Sequence, residues 1–295
     1  MLNRRALLLS GLSASPLQGL AQPPRAATEP MRCGVDSALH DSGLALALQR
    51  GFANDTGMVV KLVPAAASSV LQALERGDVE AALCNSPLAE AQLEALGFAH
   101  DRVAVAASEF VIVGPLRQAG AQAKPAQASK SARSPQPPTP GRPPAARDPA
   151  GLASASSVAQ ALQRLVEASA ADNSIHFLSP NDGSGTHVCE QALWRATKLA
   201  PAGAWYRQAG AESGFVKQAR DQGDYALVEA GAWGARGGAP LAVLVRGDPL
   251  LRVPVHLMRS FRSKHKVAKL FSTWVSGPKG RSVVAAQRGY RLPAL

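Results

Sequence analysis

The chain has 295 residues, a formal net charge of +11 and a pI of about 10.1. This length accommodates two domains of ordinary size, and 46% hydrophobic but only 5% aromatic residues are typical of an α/β protein rich in small aliphatic side chains. The positive charge does not indicate nucleic-acid binding. Much of it lies in two stretches, 117–147 and 252–291, that do not interleave aromatic and basic side chains as a single-strand groove does.

Residues 1–21 have the pattern of an export signal, with a basic start, a short apolar run and a small-residue cleavage site. The basic start is Arg4-Arg5, which resembles a twin-arginine signal although the usual phenylalanine is absent. The apolar run is far shorter than the ~20 residues that span a bilayer. We therefore expect a periplasmic protein, exported and cleaved, and not a membrane-anchored one.

After the signal, strand and helix patterns alternate, which predicts a parallel sheet covered by helices. The predicted strands are 31–36, 58–63 and 79–83, and the predicted helices open at 41–43 and run over 68–77 and 88–96. Ligands of such sheets bind beyond the carboxyl ends of the strands. Ser37 and Asn85 directly follow two of these strands, so both are candidates for a cleft.

Three cysteines are present: Cys33, Cys84 and Cys189. Their spacing fits no metal site, and an odd count excludes a fully paired framework. Cys33 and Cys84 lie on strands that we expect to be neighbours. A disulfide between them and a pair of buried free thiols both remain open at this stage.

A long β-forming run at 103–113 is followed by a change of composition. Residues 116–147 are rich in Ala, Pro, Gln, Ser and basic side chains, so we expect a disordered, Pro-rich insertion there. Beyond it, the pattern predicts helices from 154, at 215–222 and at 264–274, and strands at 175–178, 225–228, 241–245 and 253–258. The extended segments 103–113 and 241–258 bracket the middle of the chain, as a chain that leaves one lobe and later returns requires.

Residues 179–187, Ser-Pro-Asn-Asp-Gly-Ser-Gly-Thr-His, lie between a predicted strand and a predicted helix. The first turn of a helix has free N–H groups and the positive end of the dipole. Ser184 and Thr186 add hydroxyl donors, while Gly183 and Gly185 permit close approach. Such a turn holds a small oxyanion without a cationic side chain. The alternative is an ordinary turn followed by a Thr N-cap.

Four segments occur together in the order of a known family: 110–115 (Phe-Val-Ile-Val-Gly-Pro), 179–187, 205–206 (Trp-Tyr) and 244–251 (Leu-Val-Arg-Gly-Asp-Pro-Leu-Leu). In this combination, the chain from about residue 31 to its end resembles the periplasmic tungstate-binding proteins of ABC transporters. The resemblance implies a type II periplasmic binding fold, in which two doubly wound α/β lobes are joined by a two-segment hinge.

With this resemblance we expect lobe I to comprise 28–112 plus 250–295, and lobe II to comprise 113–249, including the insertion. The implied function is capture of a small, tungstate-like oxyanion in the cleft between the lobes and its delivery to the membrane permease of an ABC importer. We expect a monomer with no cofactor, metal or catalytic residue. The candidate ligand-binding residues are Ser37, Asp182, Ser184, Gly185 and Thr186.

The family pattern is altered at its binding positions. A hydroxyl-rich run after the first strand is replaced by Val35-Asp36-Ser37-Ala38-Leu39, and the arginine of the Ser-Gly-Thr loop is replaced by Pro180. Hydrogen bonds to a charged group contribute about 1.5–3 kcal/mol, so loss of the arginine weakens oxyanion binding by about 10-fold to 1000-fold. Asp36 or Glu212, if directed into the pocket, would repel an oxyanion.

These losses leave two alternatives to a tungstate-like ligand. One is a sensor or protein-binding module on the same fold that no longer serves transport. The other is a different ligand, either a protonated oxyanion such as phosphate or a zwitterion, whose proton Asp182 would accept. An enzyme is disfavoured, because the chain has no Gly-x-Ser-x-Gly elbow and the three-residue spacing of Ser184 and His187 does not orient a triad.

Overall fold

The structure, a computed structural model, describes residues 29–116, 148–210 and 214–293. The export signal expected at 1–21, nearly all of the insertion expected at 116–147, and Glu212 lie outside the described residues. Within the described ranges, no helix combines the length and the apolar character that a membrane crossing requires.

Strands and helices alternate along the described residues, as the sequence predicts. The strands are β1 Met31–Asp36, β2 Val60–Ala65, β3 Ala81–Cys84, β4 Ala99–Pro115, β5 Phe177–Ser179, β6 Tyr206–Gln208, β7 Tyr225–Glu229, β8 Leu241–Val245, β9 Arg252–Ser260 and β10 Tyr290–Arg291. The helices are α1 Ser37–Asp41, α2 Leu44–Thr56, α3 Ala67–Arg76, α4 Pro87–Ala95, α5 Val158–Ala171, α6 Gly185–Ala196, α7 Phe215–Gln222, α8 Ala230–Arg236, α9 Lys266–Ser276 and α10 Pro278–Ala285.

The long strand β4 belongs to two sheets. Its first part pairs with β9 and β10 in a sheet of order β2-β1-β3-β9-β4, which we call sheet A. Its last part, from Phe110, pairs with β7 and β8 in a sheet of order β4-β7-β5-β6, which we call sheet B. The expected parallel pairing holds for β1 with β2 and β3 and for β5 with β6 and β7, whereas β4, β8 and β9 pair antiparallel.

Both faces of each sheet are covered by helices. Helices α2, α9 and α10 pack on one face of sheet A, and α3 and α4 pack on the other. In sheet B, Phe110 and Ile112 face α5 and α6, while Val111 and Val113 face α7 and α8. Successive side chains of a strand point to opposite faces, so uninterrupted apolar runs are what a sheet buried on both sides requires. The predicted α/β class is confirmed.

Three helices are not predicted by the sequence pattern: α1, α8 and α10. Helix α1 has five residues, too few to show an apolar period. Helix α8 contains two glycines, which lower helix propensity, and Glu229 compensates by accepting a hydrogen bond from the Ala232 N–H at 2.8 Å.

All three cysteines are free thiols, so the disulfide alternative for Cys33 and Cys84 is wrong. The expected adjacency of their strands is nevertheless present, since β1 pairs with β3. Burial raises the pKa of Cys33 to about 12 and that of Cys84 well above its usual value. Both thiols therefore behave as small apolar core groups.

Candidate functional site

Helices α1, α3 and α6 begin close together, each just after a strand. Helices α1 and α3 follow β1 and β2 of sheet A, and α6 follows β5 of sheet B. Because the positive ends of helix dipoles lie at N-termini, this junction between the two sheets favours negative charge. It also lies at the carboxyl ends of the strands, where the sequence predicts the cleft.

The turn before α6 is shaped by two residues in the left-handed region, Asn181 with φ 47° and Gly183 with φ 70°. Asp182 stabilises the turn, since its Oδ1 accepts a hydrogen bond from the Ser184 N–H at 2.9 Å. The Ser184 hydroxyl accepts from the His187 N–H at 3.3 Å and thereby caps α6. The cap is thus Ser184, and the alternative of a Thr186 cap is wrong.

The carboxylate of Asp36 fills the junction. Its Oδ1 accepts a hydrogen bond from the Ala38 N–H of α1 at 2.9 Å, and its Oδ2 accepts one from the Gly185 N–H of α6 at 3.0 Å. The N–H of Ala67, in the first turn of α3, interacts with the same carboxylate. Asp36 is 0% exposed. A single buried anion therefore receives donors from helices of both sheets.

The pKa of Asp36 is set by opposing effects. Burial raises its pKa from 3.8 to about 6, and the nearby charge of Asp182 acts in the same direction. The N–H groups of Gly185, Ala38 and Ala67 lower the pKa, and their combined effect is smaller. Asp36 is therefore mostly ionised at pH 7 and becomes neutral in mildly acidic solution.

Asn85, which follows β3, completes the junction. It is 2% exposed, and neither Oδ1 nor Nδ2 has a hydrogen-bond partner within the described residues. A Cβ on Gly185 would lie 1.8 Å from Asn85 Oδ1, so only glycine fits there. Buried amides are normally satisfied, and an unsatisfied one costs about 1–3 kcal/mol. Asn85 therefore offers a donor and an acceptor to a bound group.

A second contact joins the turn to α3. The carbonyl of Gly183 accepts a hydrogen bond from the Ser68 N–H at 3.3 Å, and a Cβ on Gly183 would lie 2.6 Å from Ser68 Oγ. Farther along the junction, the Arg236 guanidinium of α8 forms an ion pair with Asp41 of α1 at 3.0 Å. Elements of the two sheets are therefore in direct contact.

The structure brings most of the sequence-predicted residues to this junction. Gly185 and Ser184 are buried there, Thr186 is 5% exposed in the same turn, and Ser37 is half-buried beside Asp36. Asp182 is exposed at the edge of the turn. Their roles toward a ligand remain predictions.

Three features of the junction differ from the sequence expectation. Ser184 caps its own helix, which engages its oxygen as an acceptor. The Ala67 N–H is a donor that side-chain patterns do not reveal. Asp36, which the sequence identifies only as a source of repulsion, occupies the centre. Chemically, the junction is a cluster of N–H donors that surrounds a buried carboxylate of the chain itself.

The chain matches a known protein family. The family model described as PBP superfamily domain matches residues 23–281, which is most of the chain. Among curated proteins, the tungstate-binding protein TupA of Peptoclostridium acidaminophilum is 26% identical over 253 residues, covering 83% of this chain and 76% of that protein.

Solved structures show the same architecture. The tungstate ABC transporter structure from Geobacter sulfurreducens aligns with a TM-score of 0.67 and 27% identity, covering 87% of this chain and 98% of that one. The tungstate-binding protein TupA from Desulfovibrio alaskensis G20 aligns with a TM-score of 0.64 at 23% identity, covering 90% of this chain and all of that one. The second similarity concerns the fold alone.

Proposed function

Because the chain belongs to the PBP superfamily and has the type II periplasmic binding fold, we propose that it is an extracytoplasmic solute-binding protein that captures a small, tungstate-like oxyanion for an ABC importer. The ligand would lie between two lobes, one built on sheet A and the other on sheet B. We place the lobe boundaries near residues 112 and 250, where β4 and the segment before β9 pass between the sheets.

The observation that carries this proposal is the set of N–H donors around Asp36. Backbone N–H groups of Gly185, Ala67 and Ala38 converge on one buried pair of carboxylate oxygens. A tetrahedral oxyanion presents oxygens that accept hydrogen bonds in the same way, and helix N-termini bind such anions without a cationic side chain. The arrangement thus supplies the chemistry that the proposed ligand needs.

Binding of an oxyanion requires that the Asp36 carboxylate release the Gly185 N–H. The donor from Gly185 belongs to sheet B and those from Ala38 and Ala67 to sheet A, so separation of the lobes would break the contact between Asp36 and Gly185. An oxyanion entering the opened junction would then take over the Gly185 N–H. Repulsion between Asp36 and a dianion opposes this exchange until Asp36 is protonated.

The same carboxylate favours a second ligand class, a protonated oxyanion such as hydrogen phosphate. Such a ligand can donate a hydrogen bond to ionised Asp36, whereas a fully deprotonated dianion cannot. Unsatisfied Asn85 provides a further donor and acceptor for it. The ionised carboxylate therefore selects a protonated oxyanion over a fully deprotonated anion of similar size.

The delivery step is part of the proposal as well. Capture for import requires the permease of an ABC transporter as partner and a periplasmic location, and we propose that the chain acts as a monomer. A ligand held by α3 of one lobe and α6 of the other would favour the closed form of the protein. The permease would recognise this closed form.

Isothermal titration calorimetry of the chain without residues 1–21 tests the proposal, with tungstate, molybdate, phosphate and sulfate as ligands. We expect saturable one-to-one binding of at least one of them. Gly185→Ala should abolish it, because the added Cβ collides with Asn85. Gly234→Ala is the matched control, since a Cβ there meets nothing within 4 Å. Absence of saturable binding for all four anions would contradict capture and favour a non-transport role.

A further inference from the structure

A cavity of about 420 Å³ lies on the hinge, and none of the residues that surround Asp36 lines it. Its walls come from both sheets: β4, β9 and β10 on one side, and β8 and α8 on the other. The volume is within the range of small-molecule sites, which is about 300–1,000 Å³. A molecule bound here would contact both lobes at the place where the chain crosses between them.

The lining of this cavity is strongly basic. Arg246 directly follows β8, and Arg252 is the first residue of β9. Arg288 lies just before β10, and Arg291 is the last residue of β10. All four side chains are exposed. Within the described residues, none of the four guanidinium groups forms an ion pair with a carboxylate, although exposed arginines elsewhere, such as Arg236, do.

Among the residues that the structure describes, Glu109 is the one acidic side chain that lines the cavity, and it accepts a hydrogen bond from the N–H of Gly247. The buried Glu229 behind the wall is held by the Ser108 hydroxyl and the Ala232 N–H. The formal charge of the lining side chains is thus four positive against one negative. Such a charge distribution in a concave site concentrates anions.

We propose that this hinge cavity, lined by Arg246, Arg252, Arg288 and Arg291, binds a small anion with two or more charged groups, of the polycarboxylate or polyphosphate class. Planar guanidinium groups suit both classes, because each pairs two N–H donors with the oxygens of a carboxylate or phosphate. A monovalent ion leaves most of these donors unused. The site is distinct from the oxyanion junction, since the two share no residue.

An anion bound in the cavity is expected to affect how the two lobes move relative to each other. Arg246 follows β8 of sheet B, whereas Arg288 and Arg291 belong to the segment that pairs with sheet A. An anion held by both groups connects the lobes outside the junction. It would therefore alter the hinge equilibrium on which capture depends.

Calorimetry with citrate and with pyrophosphate tests the site and separates the two classes, with chloride added to equal ionic strength as the reference. We expect saturable one-to-one binding of at least one probe. The double variant R288Q/R291Q should weaken it by at least about tenfold. The matched control R50Q/K61Q removes the same charge from exposed positions outside the cavity and should leave the dissociation constant unchanged.

Three results would overturn the proposal. The first is the absence of saturable binding of both probes. The second is an equal loss in R288Q/R291Q and R50Q/K61Q, which would show that only the overall charge of the chain attracts the probes. The third concerns the oxyanion site. Gly185→Ala provides the distinction from the oxyanion site, since it should leave binding of citrate or pyrophosphate intact. If Gly185→Ala abolished probe binding as well, the probes would be binding at the junction and the hinge site would be refuted.

Discussion

Replacement of Asp36 by asparagine tests the geometry of the junction through stability. The change keeps the shape of the side chain and removes its charge. Burial raises the pKa of Asp36 from 3.8 to about 6, so the neutral form is favoured on folding by about 3 kcal/mol in all. This contribution to stability is present below the unfolded pKa and is lost as the pH rises through about 6. About two-thirds of it, or ~2 kcal/mol, falls between pH 4.5 and pH 8.

The assay is urea unfolding of wild type and Asp36→Asn at these two pH values. An amide nitrogen facing a backbone N–H adds a cost, but that cost is the same at both pH values, so the difference isolates the charge. We expect the variant to gain about 2 kcal/mol relative to wild type between pH 4.5 and pH 8. Asp221→Asn is the control, because the hydrogen bond from Lys217 lowers the pKa of the exposed Asp221, so this carboxyl is ionised at both pH values and its replacement should change stability by the same amount at each. Equal effects of Asp36→Asn at both pH values would refute the raised pKa that burial gives to Asp36.

Three further predictions follow from the same contacts. Asp36→Ser should strengthen tungstate binding at pH 8 by at least about tenfold in calorimetry, because it removes the repelling charge and frees the Gly185 N–H; a weaker affinity would mean that Asp36 assists binding. Wild-type affinity for tungstate should rise more than about tenfold from pH 8 to pH 6 as Asp36 is protonated, and Asp36→Ser should show no such rise. Glu229→Gln should reduce the loss of stability between pH 4.5 and pH 8 that urea unfolding measures for the wild type. Burial raises the pKa of Glu229 to about 7, so its stabilising effect is lost as the pH rises through that value. An unchanged pH profile of stability would contradict this prediction.

The fold is largely predictable from local patterns. Continuous apolar runs such as Phe110 to Val113 predict strands buried on both faces, and the spacing of Leu44, Leu48 and Phe52 predicts α2. Helices without such a pattern are missed, since α8 depends on a cap from Glu229. The sequence allows a disulfide between Cys33 and Cys84 on neighbouring strands, and only the structure shows that both thiols are free.

The candidate site is predictable only in part. The turn at 179–187 and the positions after β1 and β3 follow from glycine, hydroxyl and amide residues at strand ends. The contact of Asp36 with Gly185 does not, because it joins residues 149 positions apart in the chain and depends on how two sheets meet. Backbone donors such as the Ala67 N–H have no side-chain signature. The basic hinge cavity likewise combines arginines from two turns that are distant in the sequence.

The central claim is that backbone N–H groups now held by Asp36 are the donors for the oxyanion. Its most direct test is a titration of the ¹⁵N-labelled chain with tungstate, followed by the amide resonances of Gly185, Ala67 and Gly234. We predict saturable shifts of Gly185 and Ala67 with the calorimetric dissociation constant, and no shift of Gly234. Saturating tungstate binding that leaves Gly185 and Ala67 unmoved would contradict the claim.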